Sequence, residues 1–421
     1  MLPAHGERHP LMSSPASAAP PITGGLRLVK NINRIALLRL LREEQGISRA
    51  DLSDRSGLTR STVSLLVKEL IDEGWMSENA SVITGQLGRR PTPLLLDGQR
   101  FALVGAELTP DTIRVVVTSI HGEVLEANQA ALQQADPEGA CHQLVGMISV
   151  LVRRVIGEGR EVLGVGVGLP GAVEPLTGML QFAPNIGWRQ VPVGQRLREE
   201  LESAGLSAVP VHYQNEADLA AIGEAEFGPR PPDDPLVYIS CGVGLGSGIV
   251  LGETLFTGAT GAGGEIGHNT LHPQGRACGC GRLGCAEAYI GLRAIAADAG
   301  LDPSRDREAL KAAMAVRDPR ARIAFEKAGR NLGVLLQNIW TTFDPRSIVV
   351  GGEAVALGGN DFVDAALQEL AAYADAAGVP APPVRLARYT ELAVAVGGAA
   401  YALYVLMHPY QALLQQQQQP R

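Results

Sequence analysis

The sequence predicts an α/β protein in two unequal parts: a small helical module with a β-wing, then a long doubly wound body. Two patterns carry that expectation. Ahead of residue 97, apolar residues recur at helical spacing in short segments separated by glycine turns. From residue 98 onward, β-like runs alternate with helical ones in two similar halves.

The chain has 421 residues, too many for one small core. Hydrophobic residues make up 46% and aromatics only 4%, with 50 glycines, a composition suited to helices packed closely on sheets. A net charge of −8 argues against nucleic-acid binding by the whole chain. The charge is uneven, however. Arg27 to Arg90 holds eleven Lys/Arg against eight Asp/Glu, a surplus of three, and the rest carries −11. A mildly basic module on an acidic body is what a modular DNA binder would show. Residues 1–25, rich in Pro, Ser and Ala, read as a disordered leader. The Gln415–Gln419 run belongs to a low-complexity tail, 411–421. No membrane span is expected, since no apolar run reaches the roughly 18–20 residues that one needs. Three of five cysteines cluster, which points to a metal site in a reducing compartment, hence the cytoplasm.

Residues 26–86 form the first module. Leu28, Ile32, Ile35 and Leu38 make an amphipathic stripe that ends at Gly46. Ser48 caps a short helix from Arg49 to Arg55, Gly57 supplies the turn, and Thr59 caps a helix reaching about Glu73. In that last helix Val63, Leu66, Val67 and Leu70 share one face, and Arg60, Ser61, Ser64 and Lys68 the other. Short helix, glycine turn and a helix starting with small polar residues and Arg is the helix-turn-helix pattern. Short hydroxyl side chains let a helix sit deep in the major groove, where Arg and Lys reach base acceptors or phosphates. The expected DNA contacts are Ser48, Arg49, Thr59, Arg60, Ser61, Thr62, Ser64 and Lys68. A plain three-helix bundle with a solvated polar face is the alternative. A β-wing is expected after Gly74-Trp75-Met76, followed by a basic linker, 87–97. There Arg89 and Arg90, between Gly and Pro, suit a narrow minor groove.

The body, 98–410, opens with a strand meander at Ala102–Ala106, Ile113–Thr118 and Glu123–Ala127. A helix over about 138–157 and strands at Leu163–Gly168, Pro210–Tyr213, Leu236–Ser240 and Ile348–Val350 follow. Within it, Cys278-Gly279-Cys280-Gly281-Arg282-Leu283-Gly284-Cys285-Ala286-Glu287 resembles the C-x-C-G-x-x-G-C-x-E signature of the ROK family (repressors, open reading frames, kinases). Gly264-Glu265-Ile266-Gly267-His268 resembles the E-x-G-H motif that precedes it there. The resemblance extends over nearly the whole chain, from the winged module to Val350-Gly351-Gly352. It implies a winged helix-turn-helix joined to a two-lobed actin-like/ribonuclease H-like sugar-kinase fold.

His268, Cys278, Cys280 and Cys285 offer one nitrogen and three sulfurs, a set suited to a closed, structural tetrahedral Zn²⁺. Cys141 and Cys241 read as buried small residues. By resemblance, a sugar site would be built from Asn185, Asn215, Glu216, Glu265, His268 and Glu287. His268 could serve both sites, one ring nitrogen for each. ROK kinases carry D-x-G-G-T-K early in the fold, and the matching stretch here is Glu107-Leu108-Thr109-Pro110-Asp111-Thr112. Pro110 has no N–H to offer a phosphate, and Asp111 adds a repelling charge. The kinases' Asn-Asp pair is Asn215-Glu216. A second glycine loop, Gly242–Gly248, matches the kinases. The resemblance implies a sugar-responsive DNA-binding regulator with no enzymatic activity. Repression is the default direction. Its partners would be an operator duplex, a sugar or sugar phosphate, and further copies of itself in a homodimer or homotetramer. A working sugar kinase with an appended DNA-binding module, and a regulator whose cleft is vestigial, are the alternatives.

Overall fold

A computed structural model of the chain describes residues 25–78, 92–183, 185–258 and 263–408. The helix-turn-helix elements appear as expected, with α2 and α3 starting at their predicted caps. They are α1 (Leu26–Glu43), α2 (Arg49–Ser56) and α3 (Arg60–Asp72). The Ser48 side chain accepts from the Asp51 N–H while the Asp51 carboxylate accepts from the Ser48 N–H, a closed capping box that starts α2. Gly57, at φ 70°, ends it in a left-handed conformation that residues with a side chain rarely adopt. Thr59 caps α3 through the Thr62 N–H.

Two expectations for this module need correction. Ile32 is 38% exposed, and α1 buries Ile35, Leu37, Leu38 and Leu41 instead, so the predicted stripe packs only in its second half. The segment read as linker contains a strand. β1 (Met76–Glu78) pairs antiparallel with β2 (Leu94–Leu96), whose Leu94 and Leu96 are buried in the module's core. Arg89 and Arg90 fall outside the described residues. Beyond the wing, Trp75 stacks on Phe101 with ring centroids 4.2 Å apart, so the module's core continues into the body without a break.

The body holds two five-stranded sheets of the same plan. In the first, β3 (Phe101–Leu108), β4 (Thr112–Thr118) and β5 (Val124–Ala131) form an antiparallel meander. α4 (Pro137–Gly157) then leads to β6 (Glu161–Leu169), parallel to β3. A small three-stranded sheet follows, made of β7 (Ala172–Glu174), β8 (Met179–Ala183) and β9 (Trp188–Pro192). α5 (Val193–Ser203) leads from it to β10 (Val211–Asn215), parallel to β6. After α6 (Glu216–Glu226) the plan repeats. β11 (Leu236–Cys241), β12 (Leu245–Leu251) and β13 (Thr254–Leu255) are antiparallel. Helices α7 (Glu287–Ile290), α8 (Leu292–Asp298), α9 (Asp306–Ala315) and α10 (Pro319–Phe343) precede β14 (Ser347–Gly351), parallel to β11. α11 (Glu353–Ala377) and β15 (Val384–Leu386), parallel to β14, complete the second sheet.

The last helix, α12 (Ala393–Met407), returns to the first lobe and lies against β3, β6 and α6. Glycines permit this contact. A Cβ at Gly166 would sit 2.0 Å from the Gly398 carbonyl oxygen, and one at Gly397 would sit 2.0 Å from that of Leu219. α4 and the segment Thr390–Met407, which ends in α12, are by length and composition alone apolar enough to cross a bilayer. Their apolar faces are instead packed on the sheets and helices of the body. α6 touches α12 on one side and β11 and β12 on the other, so it lies between the lobes.

Candidate functional site

The lobes meet at the first turn of α6. Gly248 has no side chain, and a Cβ there would meet the Ala217 carbonyl at 2.6 Å and the Asp218 Cα at 2.9 Å. β12 therefore lies directly on that turn. From the same strand, the Ser247 hydroxyl donates to the Gly264 carbonyl. The Asn215-Glu216 corner and the Glu265–His268 turn thus converge on Ser247-Gly248.

Asn215 is mostly engaged by the fold. Its Oδ1 accepts from the Ala217 and Asp218 N–H groups, and its Nδ2 donates 2.8 Å to the Gly171 carbonyl. One amide hydrogen is left for a ligand. Glu216 begins α6 and is partly buried. Burial, and then the nearby Glu107 carboxylate, push its carboxyl up to about 7. Asn185 is exposed in the turn after β8. The backbone of that strand's last residues, Phe182 and Ala183, abuts Gly171, the acceptor for Asn215.

Sequence reasoning passed over Asp218. It is 8% exposed, and its carboxylate has no hydrogen-bond partner among the described residues. Burial and the Glu265 charge push it up to about 8. The signal was a lone acid inside the otherwise apolar run Ala217-Asp218-Leu219-Ala220-Ala221, a stretch buried on every side.

The predicted metal residues come together. Ligand atoms of His268, Cys278, Cys280 and Cys285 all lie within 4.8 Å of one another. Cys280 Sγ and Cys285 Sγ are 3.7 Å apart, as are Cys278 Sγ and His268 Nδ1. Two thiolates bound tetrahedrally to one ion at ~2.3 Å would be separated by about that distance. Here Nδ1 faces the sulfurs, while Nε2 faces the Glu265 carboxylate at 4.0 Å. Glu287 joins the loops. Its Oε1 lies 3.4 Å from the Cys278 thiol, and its Oε2 accepts from the Leu245 N–H in the second glycine loop at 3.1 Å. A Cβ on Gly244 would meet that carboxylate at 2.8 Å, so the glycine makes room for it. Cys141 and Cys241 are buried outside the cluster, as expected.

The stretch matched to the kinases' first phosphate loop is a closed hairpin corner between β3 and β4. The Thr109 hydroxyl donates to Asp111 or to the Thr112 carbonyl, and the Thr109 N–H donates to the same carbonyl. Glu107 is 7% exposed and accepts from Arg114 at 3.0 Å. Arg307 from the second lobe pairs with Asp111 and, at 2.5 Å, with Glu353. The corner is thereby tied across the cleft to the start of α11. Neither Arg307 nor Glu353 was singled out from the sequence.

On the winged module, Arg60, Ser61, Ser64 and Lys68 are exposed along α3, and Thr59 and Thr62 lie at its start. Ser48 requires correction, since its hydroxyl and backbone serve the capping box and it is 6% exposed. Arg49 is engaged by Glu78 of the wing at 2.6 Å. α1 docks on the body through ion pairs. Arg42 donates to the Glu226 carboxylate at 2.8 Å and to its carbonyl at 2.9 Å, and Arg39 pairs with Glu253. Burial alone would raise the Glu226 carboxyl, yet Arg42 holds it below its ordinary value. Glu226 is the last residue of α6, and the cleft residue Glu216 is the first.

The model of the ROK family matches residues 103–404, and that of the winged helix-turn-helix DNA-binding family matches residues 30–75. A xylose repressor from Caldicellulosiruptor bescii is 30% identical over 80% of this chain and 86% of its own length. A glucokinase from Halalkalibacterium halodurans is 29% identical over 64% of this chain and 86% of its own. A crystal structure of a ROK family transcriptional regulator, described as a homolog of the Escherichia coli Mlc protein, superposes with a TM-score of 0.72 at 24% identity. It covers 93% of this chain and 100% of its own, a likeness of fold.

The raised carboxyls set a pH dependence. An acid with a raised pKa in the fold contributes stability that is fully present below its unfolded value and is lost as pH rises through its folded value. The contribution of Glu216 and Asp218 to the stability of the ligand-free protein is expected to fall between about pH 4 and pH 8, against an opposing one from His121, His212 and His408, whose pKa values are lowered by desolvation. Melting temperatures across that range check this, since Glu216→Gln and Asp218→Asn should each remove one share of the fall.

Proposed function

The chain belongs to the ROK family, and from that premise we propose that it is a sugar-responsive transcriptional repressor without kinase activity, acting in the cytoplasm. One observation carries the reading. A single helix, α6, begins at the sugar-site corner and ends at the ion pair that holds the DNA-reading module. Eleven residues put those ends ~16 Å apart. The 30% identical xylose repressor makes a pentose the first effector to try, with related hexoses and their phosphates next.

In this mechanism the sugar hydroxyls are read by Asn185, Asn215, Glu216, Glu265, His268 and Glu287. Hydroxyls both donate and accept, so a sugar lacking one leaves a buried carboxylate or amide unpaired, which gives selectivity. Asp218 sits behind them as a neutral acid near neutral pH, able to donate a hydrogen bond that a carboxylate could not. Closure of the lobes on the sugar shifts α6, and Glu226 carries α1 and the winged module with it. Two modules of a homo-oligomer then no longer match successive major grooves of the operator. The sugar must bind the two closure states unequally, because equal affinity would shift nothing.

His268, Cys278, Cys280 and Cys285 would hold Zn²⁺, with all four positions taken by protein. The ion would supply cross-linking of a glycine-rich loop that has little core of its own. It would also fix the His268 ring through Nδ1, so that Nε2 faces Glu265 and the cleft. Kinase chemistry is not part of the proposal. Pro110 offers no N–H, Glu107 is held by Arg114, and the Asp111 corner is bridged to Arg307.

Operator titrations by fluorescence anisotropy across a sugar panel are the direct test of function. One sugar should weaken operator binding at least tenfold, and Glu265→Ala should abolish that response while leaving sugar-free affinity intact. Turnover of ATP with any panel sugar would sink the non-enzymatic reading. Elemental analysis should find one zinc per chain, and Cys285→Ser should lose it together with several degrees of melting temperature. Arg42→Ala removes one partner of a pair whose side chains are each 10% exposed, at a cost of about 3–5 kcal/mol. The variant should still bind sugar, shown by its thermal shift, but its operator affinity should no longer depend on sugar.

A further inference from the structure

The exposed strip of α3 contains one residue that the polar DNA contacts leave without a role. Ser61, Ser64, Leu65 and Lys68 follow spacings of i, i+3, i+4 and i+7, and all four are exposed. Leu65 is 58% exposed, while Val63, Leu66, Val67 and Leu70 already fill the module's core from the other face. Single exposed leucines are ordinary on protein surfaces. Leu65 differs by its place, within the exposed strip that a helix-turn-helix lays in the major groove.

The orientation of that strip is held by α1. Lys30 pairs with Glu69, one turn on from Leu65, at 2.8 Å, and Arg34 pairs with Glu73 at the helix's C-cap, so the C-terminal half of α3 is tied to α1. The neighbouring Ser61 and Ser64 are too short to hold the helix away from the base edges. In the major groove the apolar group presented by the bases is the C5-methyl of thymine.

We infer that Leu65 packs on the C5-methyl of a thymine in each operator half-site and selects that base there. The inference rests on the DNA-binding reading above. It adds a base identity that the polar residues of α3 do not specify.

The test uses full-length protein. Operators are first selected from random duplexes. Each thymine is then replaced in turn by deoxyuridine, which removes the methyl and changes no hydrogen-bonding group. At one position per half-site the unmodified protein should lose about fourfold in affinity, the worth of one buried methyl-sized group. Leu65→Ala should bind the thymine operator more weakly and be indifferent to deoxyuridine at that position. Leu65→Met, which keeps an apolar end, should retain the sensitivity. If no position is sensitive, or if Leu65→Ala keeps the same sensitivity, the inference is overturned. It is also overturned if Leu65→Ala weakens thymine and deoxyuridine operators by equal factors, since Leu65 then acts on the helix and not on the methyl. Selection of no sequence would remove the DNA-binding reading, and this inference with it. Unchanged far-ultraviolet circular dichroism and melting temperature in each variant separate recognition from folding.

Discussion

Around α6 and α12 the chain lets backbone meet backbone. Gly105 and Gly166 on β3 and β6 face α12, and Gly397 of α12 faces the Leu219 carbonyl of α6. A methyl group at any of these points would overlap a main-chain atom that cannot swing aside, and overpacking of that kind typically costs about 1–3 kcal/mol. This close seam fixes α6 against the first lobe. Gly248 brings β12 of the second lobe equally close to its first turn. A helix gripped so tightly on both sides cannot bend, so a displacement at one end has to appear at the other. The position of the Asn215-Glu216 corner, and that of the winged module held at Glu226, both follow from the seam.

The second joint is ionic. Arg307 reaches from one lobe to Asp111 of the other and is anchored by Glu353 at 2.5 Å. Glu287 holds the Cys278–Cys285 loop to the second glycine loop through Leu245. The same glycine loop that would approach phosphates in a kinase here gives a carboxylate room to pass Gly244. Exposed ion pairs are worth little singly. The Asp111 bridge, with both side chains 40% or more exposed, would therefore be weak enough for a closure of the lobes to make and break it.

Much of this was legible in the sequence, for a local reason. The capping box of Ser48 and Asp51, the Gly57 turn and the Thr59 cap are decided within a few residues, so the helix-turn-helix could be read directly. Three of the four residues of the His/Cys cluster lie within eight positions. The same locality misled at Ser48, because a capping serine and a DNA-contacting serine look alike until burial is known. Arg42–Glu226 and Arg307–Asp111 join residues 184 and 196 positions apart, and no periodicity or spacing announces such pairs. β2 was missed because its three leucines are too short a run to read as a strand without β1 opposite.

The energies also limit how the device can work. Moving a two-state population from 1:99 to 99:1 needs about 5.5 kcal/mol of differential affinity. A hydrogen bond to a charged group contributes about 1.5–3 kcal/mol. Two or three sugar hydroxyls satisfied only in the closed state by Glu216, Glu265 and Glu287 would reach that figure. The joint that transmits the shift must be at least as strong. A half-buried pair such as Arg39–Glu253 falls short of that alone. Arg42–Glu226 comes close, at about 3–5 kcal/mol, because both its side chains are nearly enclosed and opening the pair would leave a buried charge uncompensated, and it reaches that figure only with Arg39–Glu253 beside it. The strong joint therefore lies between α6 and the DNA-reading module, and the weak one lies across the cleft. Sugar binding can then move the lobes without loosening the module from the helix that steers it.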